Sequence, residues 1–197
     1  MHFRESFIFL TRFAGHPSQI GSVTPSSRFL VKCMLDKVDW DNTKCIAELG
    51  AGTGVFTREI VKRAKPGTKI LVFELDRNLR KMIADENKNY SGLKIFPDAQ
   101  ELNNIIHDEN INELDFIISS LPFTVLQPKV SIKIFNAIQK SLKPSGHFIA
   151  YQYSSVIKRY LKKRFKSVNT NFVLLNVPPA FVYDCSEDAR NYQKFPE

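Results

Sequence analysis

The sequence predicts an α/β fold in which a seven-stranded, mostly parallel sheet with an antiparallel last strand follows an N-terminal helical extension. Short β-like apolar runs alternate with helical patterns five times, which is typical of a parallel sheet whose strands are joined by helices. The last two β-like runs are instead joined by a turn at Pro178-Pro179. The 197 residues, 43% of them hydrophobic, suffice for one domain with a full core.

The N-terminal extension is predicted to contain two helices and a loop. Apolar residues recur at helical spacing over residues 3–13. The segment Gly15–Ser27 is rich in Pro, Gly, Ser and Thr and is therefore loop-like. Ser26 or Ser27 is placed to cap a helix over Arg28–Lys37.

We predict that residues 1–37 form this N-terminal region on the ligand side and that residues 38–197 form the α/β domain. The predicted strands are Lys44–Leu49, Lys69–Leu75, Leu93–Phe96, Leu114–Ser119, His147–Tyr153, Val168–Val177 and Ala180–Tyr183. The predicted helices are Val55–Lys65, Leu79–Asn87, Glu101–His107, Lys129–Leu142 and Val156–Arg164. Right-handed crossovers wind such a sheet on both faces and place ligands at the carboxyl ends of the early strands.

Composition excludes several classes of function. No apolar run approaches the ~18 residues of a membrane-spanning helix, and the N-terminus has no clear signal peptide. Three widely spaced cysteines and four scattered histidines predict neither a disulfide framework nor a metal site, which favours a reducing cytosol. The net charge of +8 favours a polyanionic partner, either nucleic acid or an anionic membrane surface.

A glycine loop between the first predicted strand and the next helix is the main candidate ligand site. It reads Glu48-Leu-Gly-Ala-Gly-Thr-Gly54. Gly50, Gly52 and Gly54 permit a tight turn and a close approach of the ligand to the backbone. The following helix N-terminus offers free N–H groups to a carboxylate or phosphate.

Acidic residues end the next two strands. A carboxylate at Glu74 can accept from both hydroxyls of a ribose. Asp98, followed by Ala99, can accept from an exocyclic adenine amine. Asp76, two positions after Glu74, has two interpretations of equal weight: a further residue of the ligand site, or a cap for the next helix. A dehydrogenase would space its glycines differently, as G-x-G-x-x-G.

These features together resemble the class I S-adenosylmethionine-dependent methyltransferases, which have a Rossmann-like fold. The resemblance covers residues ~44–153 and implies S-adenosylmethionine as cofactor, S-adenosylhomocysteine as product and no metal. It implies that the three glycines line the methionine part and that Glu48 orients its amino group through the loop. It also assigns the ribose to Glu74 and the adenine to Asp98, and Thr24 is a candidate to close over the cofactor.

Two families of methyltransferase are similar at the end of the fourth strand, which reads Ser119-Ser120-Leu-Pro-Phe123. The ribosomal RNA adenine dimethylases carry Asn-Leu/Ile-Pro-Tyr/Phe there, and Ser120 stands in place of their Asn. Bacterial phospholipid N-methyltransferases have a Ser-x-Leu-Pro-Phe exit. They also share Ile20-Gly-Ser-Val-x-Pro-Ser-Ser27 and Asn176-x-Pro-Pro-Ala-x-Val-Tyr183.

The second resemblance covers nearly the whole chain. It implies stepwise methylation of phosphatidylethanolamine to its mono-, di- and trimethylated forms, the last being phosphatidylcholine. An RNA adenine N6-methyltransferase is the alternative, and a cofactor-binding or membrane-binding module without methyl transfer is the second alternative.

Candidate substrate residues follow from the strand ends. Tyr151 and Tyr153 lie on one face of the fifth strand and are candidates to position the amine, with Ser119 or Ser120 as hydrogen-bond partners. Core packing is the other interpretation of the two tyrosines. Further candidates are aromatic rings that would face the methylated cation and basic side chains that would clamp a lipid phosphate. The rings are Phe123 and Tyr183, and the basic side chains are Arg28, Lys158 and Arg159.

Two segments are candidates for contact with an anionic membrane surface. The helix over residues 3–13 has charges among its apolar residues and is suited to the headgroup region, although it is also suited to the core. Its membrane candidates are Phe3, Phe7, Phe9 and Leu10. The run Lys158–Lys166 has six basic residues in nine, which also fits a solvated face or RNA binding. We therefore expect a cytoplasmic protein, peripheral at the inner face of the cell membrane, without an obligate protein partner.

Overall fold

The structure, a computed structural model, describes residues 26–187. The helix expected over residues 3–13 lies outside these residues, as do Thr24 and the four membrane candidates Phe3, Phe7, Phe9 and Leu10. The strands are β1 (Cys45–Leu49), β2 (Lys69–Phe73), β3 (Leu93–Phe96), β4 (Leu114–Ser119), β5 (Leu142–Gln152), β6 (Ser167–Val173) and β7 (Ala180–Ser186). The helices are α1 (Arg28–Leu35), α2 (Val55–Arg63), α3 (Arg77–Glu86), α4 (Leu102–Asp108), α5 (Pro128–Ser141) and α6 (Lys158–Arg164). Short 3₁₀ turns at Ala99–Glu101 and Ser155–Ile157 precede α4 and α6.

The seven strands form one sheet in the order β3-β2-β1-β4-β5-β7-β6. The pairings from β3 through β5 are parallel, and β7 is antiparallel to both β5 and β6. The predicted mostly parallel sheet with an antiparallel last strand is therefore confirmed. Because β1 to β6 all point the same way, their carboxyl ends meet at one edge of the sheet, which we call the carboxyl edge.

Both faces of the sheet are covered, and the central strands β1, β2 and β4 are mainly apolar on both sides. One face packs against a cluster that includes Leu102, Phe135 and Leu161 from α4, α5 and α6. The other packs against a cluster that includes Leu30 and Ile60 from α1 and α2. Within residues 26–187, no helix has the length and apolarity needed to cross a membrane.

Most predicted elements occur with small shifts at their ends, and two differ more. The fifth strand begins at Leu142 rather than His147, because Leu142 pairs with Leu114 before an irregularity in the register. The sixth strand ends at Val173 rather than Val177, because residues 174–179 form the turn into β7. Ser27 caps α1 by accepting a hydrogen bond from the Leu30 N–H, as predicted for one of the two serines.

Asp115 is a structural residue at the opposite edge of the sheet. Its carboxylate accepts hydrogen bonds from the backbone N–H groups of Lys44 and Cys45, at 2.8 and 2.9 Å, and from the Lys143 ammonium. Partial burial works to raise the pKa of Asp115, but the hydrogen bonds from Lys143 and the backbone outweigh it and lower the pKa. The carboxylate thus joins β4 to the start of β1 and to β5.

We predict that Asp115→Asn lowers the free energy of unfolding by about 1–3 kcal/mol at pH 7, because charge-assisted hydrogen bonds from Lys143 and from two backbone N–H groups are lost. The folded pKa lies below the unfolded value of about 3.9, so this stability is present above that pH and is lost as the pH falls through the folded pKa. Urea unfolding of both proteins at several pH values measures it. The matched control is Asp85→Asn, an exposed position on α3, for which we expect almost no change. A loss for Asp115→Asn that is independent of pH would contradict the assignment.

Candidate functional site

The glycine loop turns back over the end of β2 at the carboxyl edge. The N–H groups of Gly50 and Ala51 both donate to the carbonyl oxygen of Phe73, at 2.8 and 3.1 Å. Gly50 and Gly52 have φ angles of 81° and 56°, a region that side chains with a Cβ rarely adopt. A Cβ built on Gly52 meets no atom within 4 Å, so this side of the loop faces open space. The loop therefore presents backbone to a cleft.

Glu74 holds the loop in this position. Its carboxylate accepts from the Gly52 N–H at 2.7 Å through one oxygen and from the Asp76 N–H at 2.9 Å through the other. The side chain is 2% exposed, and burial raises the pKa of Glu74, against the lowering effect of the two N–H donors. Glu74, the residue predicted to bind the ribose, thus also connects the end of β2 to the glycine loop by a hydrogen bond.

Glu48 lies beneath the loop and is completely buried. One carboxylate oxygen accepts from the Thr57 hydroxyl of α2 at 2.6 Å. The other oxygen, Oε1, has no hydrogen-bond partner among residues 26–187. Burial raises the pKa of Glu48 to about 7, with the hydrogen bond from Thr57 opposing the shift. A buried acceptor without a donor costs free energy, so Oε1 is suited to a donor that a ligand supplies.

The other two acidic candidates are both caps. Asp98 accepts from the N–H and the side-chain amide of Gln100 and so begins the 3₁₀ turn. It remains half-buried at the cleft. Asp76 accepts from the N–H groups of Asn78 and Leu79 and caps α3, so its alternative role as a helix cap is what the structure shows.

The cleft brings together four of the predicted cofactor residues, whereas Glu48, Gly52 and Gly54 do not line it. Its lining includes Gly50, Glu74, Leu75, Asp98, Ala99 and Leu121. Two carboxylates and apolar side chains thus face one space beside the glycine loop. Adenosine combines ribose hydroxyl groups with an amine on a flat aromatic ring. The hydroxyls and the amine match the carboxylate acceptors of the cleft, and the ring matches its apolar surfaces. The unpaired Oε1 of Glu48 matches an ammonium donor on the loop side.

The structure corrects the prediction for Ser119. This side chain is completely buried, and its hydroxyl oxygen accepts from the Leu121 N–H at 3.2 Å. It therefore shapes the turn after β4 and is not directed at a substrate. Ser120 is half-buried, and its backbone N–H donates to the Leu49 carbonyl oxygen at 3.0 Å.

Phe123 and Tyr183 also differ from expectation, because both are core residues. The Phe123 ring is 6% exposed and packs on Phe135, with ring centroids 4.3 Å apart. Tyr183 is completely buried in the middle of β7, where Ala150 of β5 lies opposite. Neither ring has the exposed face that contact with a headgroup cation requires. Tyr183 lies in a strand that is buried on both sides and shows no alternation of polar and apolar residues, so the sequence does not show which way its ring points.

Tyr151 and Tyr153 share one face at the end of β5, as alternation predicts. Their rings lie edge to face with centroids 5.6 Å apart, and Tyr151 stacks on Phe56 of α2. Tyr153 is 49% exposed. Its partial burial and the neighbouring Tyr151 raise the pKa of Tyr153, although the Asn176 side chain lowers it. The phenol therefore keeps its proton at neutral pH, which suits orientation and not proton abstraction.

The structural roles of two polar residues at this edge were not predicted from the sequence, although Asn176 is part of a motif named there. The Gln152 side-chain amide donates to the carbonyl oxygens of Leu121 and Tyr151, both at 2.7 Å, and so ties β5 to the turn after β4. Asn176 accepts from the Ser27 N–H at 3.0 Å and donates to the Pro178 carbonyl oxygen at 2.7 Å. Gln152 interrupts an apolar strand, which was an available signal.

The three basic candidates lie on elements that begin at the carboxyl edge. Arg28 begins α1 and is exposed, with its guanidinium 5.0 Å from the ring centroid of Phe29. Lys158 and Arg159 begin α6, which follows the end of β5. Lys158 is half-buried and Arg159 is exposed. Among residues 26–187, no group of three His, Cys, Asp or Glu side chains is arranged to hold a metal ion.

The family model and several of the known proteins similar to this chain are named for methyl transfer. Residues 19–173 match the model of the methyltransferase small domain family. An ornithine lipid N-methyltransferase of Singulisphaera acidiphila is 29% identical over 184 residues, which are 92% of this chain and 96% of that protein. A ribosomal RNA small subunit methyltransferase A of Clostridium acetobutylicum is 36% identical over 94 residues. These are 46% of this chain and 32% of that protein.

Among solved structures, a precorrin-6y C5,15-methyltransferase from Geobacter metallireducens is similar, with a TM-score of 0.62 and 12% identity. The match covers 80% of this chain and 87% of that one. This likeness supports the fold, and the family match covers both the glycine loop and the cleft. The chain therefore belongs to the methyltransferase small domain family and is an S-adenosylmethionine-dependent methyltransferase with a Rossmann-like fold.

Proposed function

We propose that this methyltransferase acts on lipid amines at a membrane surface. Phosphatidylethanolamine and its partly methylated forms are the acceptors we expect, as in the sequence analysis. The observation that carries the proposal is the match over nearly the full length of both chains to a lipid N-methyltransferase. The amine of ornithine lipid is the second candidate acceptor, because that relative is named for it.

The RNA alternative has less support. The chain spans only about a third of the length of the ribosomal RNA relatives it matches. Ser120 also offers no amide acceptor where the adenine dimethylases carry Asn. The positive charge of the chain does not discriminate between the two, since it would attract either an RNA or an anionic membrane.

The cofactor side of the proposal uses the residues of the cleft. S-adenosylmethionine supplies an electrophilic methyl carbon on a sulfonium. Glu48 Oε1 would accept from the ammonium of the methionine part, Glu74 would accept from the ribose hydroxyls, and Asp98 would accept from the adenine amine. The glycine loop would bring its backbone against the ligand. These contacts fix the direction in which the methyl group points.

The acceptor side requires a neutral amine, because a protonated nitrogen has no lone pair for in-line attack. The basic candidates Arg28, Lys158 and Arg159 lie on elements that begin at the carboxyl edge. A substrate ammonium placed among such residues meets like charges and partial desolvation, and both lower its pKa. These basic residues therefore favour loss of the proton without a carboxylate base. The Tyr153 hydroxyl would then orient the amine.

We predict that Glu74→Ala weakens binding of S-adenosylhomocysteine by roughly tenfold to a hundredfold, because a charged acceptor and the brace of the loop are both lost. We expect Gly52→Arg to abolish binding, since its side chain would enter the open space beside the loop. Titration calorimetry measures both, and thermal melting checks that the variants fold. Glu109→Ala, at the surface pair with Lys94 away from the cleft, is the control. Binding by Glu74→Ala at the strength of the wild type would contradict its role.

The function is tested by transfer of radiolabelled methyl groups in parallel reactions. The acceptors are vesicles of phosphatidylethanolamine with phosphatidylglycerol, the same vesicles with ornithine lipid in place of phosphatidylethanolamine, and undermethylated ribosomal RNA. We expect label in the headgroup of phosphatidylethanolamine. Label in ornithine lipid alone would support a lipid amine as the substrate and would make ornithine lipid, rather than phosphatidylethanolamine, the methyl acceptor. Label in RNA alone would overturn the proposal.

We predict that Tyr153→Phe lowers kcat/KM roughly fivefold, because about one hydrogen bond to the substrate amine is lost. The pH profile of kcat/KM should not change. The raised pKa of the phenol means that it does not titrate in the working range. Tyr151→Phe is the matched control on the same face of β5. A loss of a hundredfold or more, together with loss of the alkaline or acid limb of the profile, would instead identify Tyr153 as a general base.

A further inference from the structure

The turn between β6 and β7 is apolar and exposed. Leu174, Leu175 and Val177 are 70%, 64% and 62% exposed. A single exposed apolar residue is ordinary, but three within four positions of a turn form a patch that usually has a partner. We call residues 174–177 the apolar turn.

The polar residue of the apolar turn, Asn176, connects the turn to the rest of the fold. Asn176 is 2% exposed, and its side chain accepts from the Ser27 N–H and donates to the Pro178 carbonyl oxygen. These bonds fasten the turn to the start of α1. The backbone that carries Leu174 and Leu175 is therefore held by these hydrogen bonds.

Other exposed apolar side chains lie on elements that meet the same carboxyl edge. Val156, in the 3₁₀ turn after β5, is 75% exposed, Tyr153 is 49% exposed, and Phe29 at the start of α1 is 41% exposed. Strands β5 and β6 both end at this edge, and the contact between Asn176 and Ser27 brings α1 to it. The apolar turn thus belongs to a wider apolar rim beside the candidate acceptor site.

The part of the carboxyl edge around β5, β6 and α1 carries basic residues, whereas the carboxylates of this edge lie around the cofactor cleft. Arg28, Lys158 and Arg159 are on elements that begin at the same edge, and no acidic residue occurs from Phe116 through Tyr183. Such a surface attracts an anionic layer at about 1 kcal/mol for each basic residue near it, and it repels a second copy of itself. The exposed side chains of the apolar turn itself, Leu174, Leu175 and Val177, are aliphatic and offer no ring for stacking on RNA bases.

We propose that the apolar turn inserts into the boundary between headgroups and acyl chains of an anionic bilayer, while the basic residues of the carboxyl edge contact the headgroups. The inference deepens the proposed function, since it places the acceptor site against the lipid surface. Docking is nevertheless measured separately from methyl transfer. It adds a contact site to the N-terminal helix and the basic run expected from sequence.

A tryptophan reporter tests the insertion. We expect Leu175→Trp to show blue-shifted fluorescence on vesicles of phosphatidylethanolamine and phosphatidylglycerol, and quenching when brominated lipid is included. Trp40, the single tryptophan of the chain, is the internal control. It lies in the loop between α1 and β1, near the amino ends of the strands, where its indole N–H donates to the Leu35 carbonyl oxygen. The wild type should therefore show neither change. Absence of quenching in the Leu175→Trp protein bound to vesicles would overturn the proposal.

Removal of the apolar side chains is the second test. We expect L174S with L175S to reduce vesicle partitioning by roughly tenfold, while L174M with L175M, which keeps apolar volume, retains it. Cofactor binding should be equal in both, which excludes misfolding. Equal partitioning of the serine and methionine variants would overturn the proposal. So would a change of oligomeric state in the serine variant, which would mean that a second copy covers the turn.

Substrate presentation separates this inference from the proposed function. With acceptor lipid in vesicles, the serine variant should lose activity. With the same lipid dispersed in detergent micelles, it should match the wild type, because docking on a bilayer is no longer needed. A wild type that docks through the turn but methylates neither form would refute the lipid substrate and leave the docking surface. Equal loss in vesicles and micelles would refute the docking role.

Discussion

The contact between the Glu74 carboxylate and the Gly52 N–H supports the whole carboxyl edge. It joins the end of β2 to the loop that leaves β1, and the second carboxylate oxygen receives the N–H that leads into α3. Without this carboxylate the Gly52 N–H would lose its acceptor, whereas the N–H groups of Ala51 and Gly54 donate to backbone carbonyl oxygens. Because the carboxylate is buried, its hydrogen bonds are strong and their loss is costly. The position of the cofactor cleft therefore depends on one side chain that is also expected to touch the ligand.

Other hydrogen bonds between side chains and backbone connect the remaining elements of the carboxyl edge. Gln152 ties β5 to the turn after β4, and Asn176 ties the apolar turn to α1. Neither amide is charged, and both are buried with donors or acceptors satisfied. The two sides of the edge thus differ in chemistry: carboxylates surround the cofactor cleft, and basic and apolar residues surround the region where an acceptor would enter.

The sequence predicted the fold class and the glycine and acidic residues at the carboxyl edge, because these depend on local signals. Three glycines at alternate positions require a backbone with positive φ, and a carboxylate at a strand end falls at the same edge in any parallel sheet. It did not predict the surroundings of Ser119, Phe123 and Tyr183. Strands β4 and β7 are buried on both faces, so the direction of each side chain depends on helices that pack from distant parts of the chain. The roles of Gln152 and Asn176 depend on partners 31 and 149 positions away, respectively, which local patterns do not encode.

The central claim is that this methyltransferase modifies lipid amines, and the most direct measurement is the lipid composition of cells that make it. The protein would be expressed in a bacterial host whose membrane contains phosphatidylethanolamine and no phosphatidylcholine, and extracted lipids would be analysed by mass spectrometry. The account predicts mono-, di- or trimethylated phosphatidylethanolamine with the wild type and none with Gly52→Arg. An unchanged lipid profile together with new N6-methylated adenine in ribosomal RNA would contradict it.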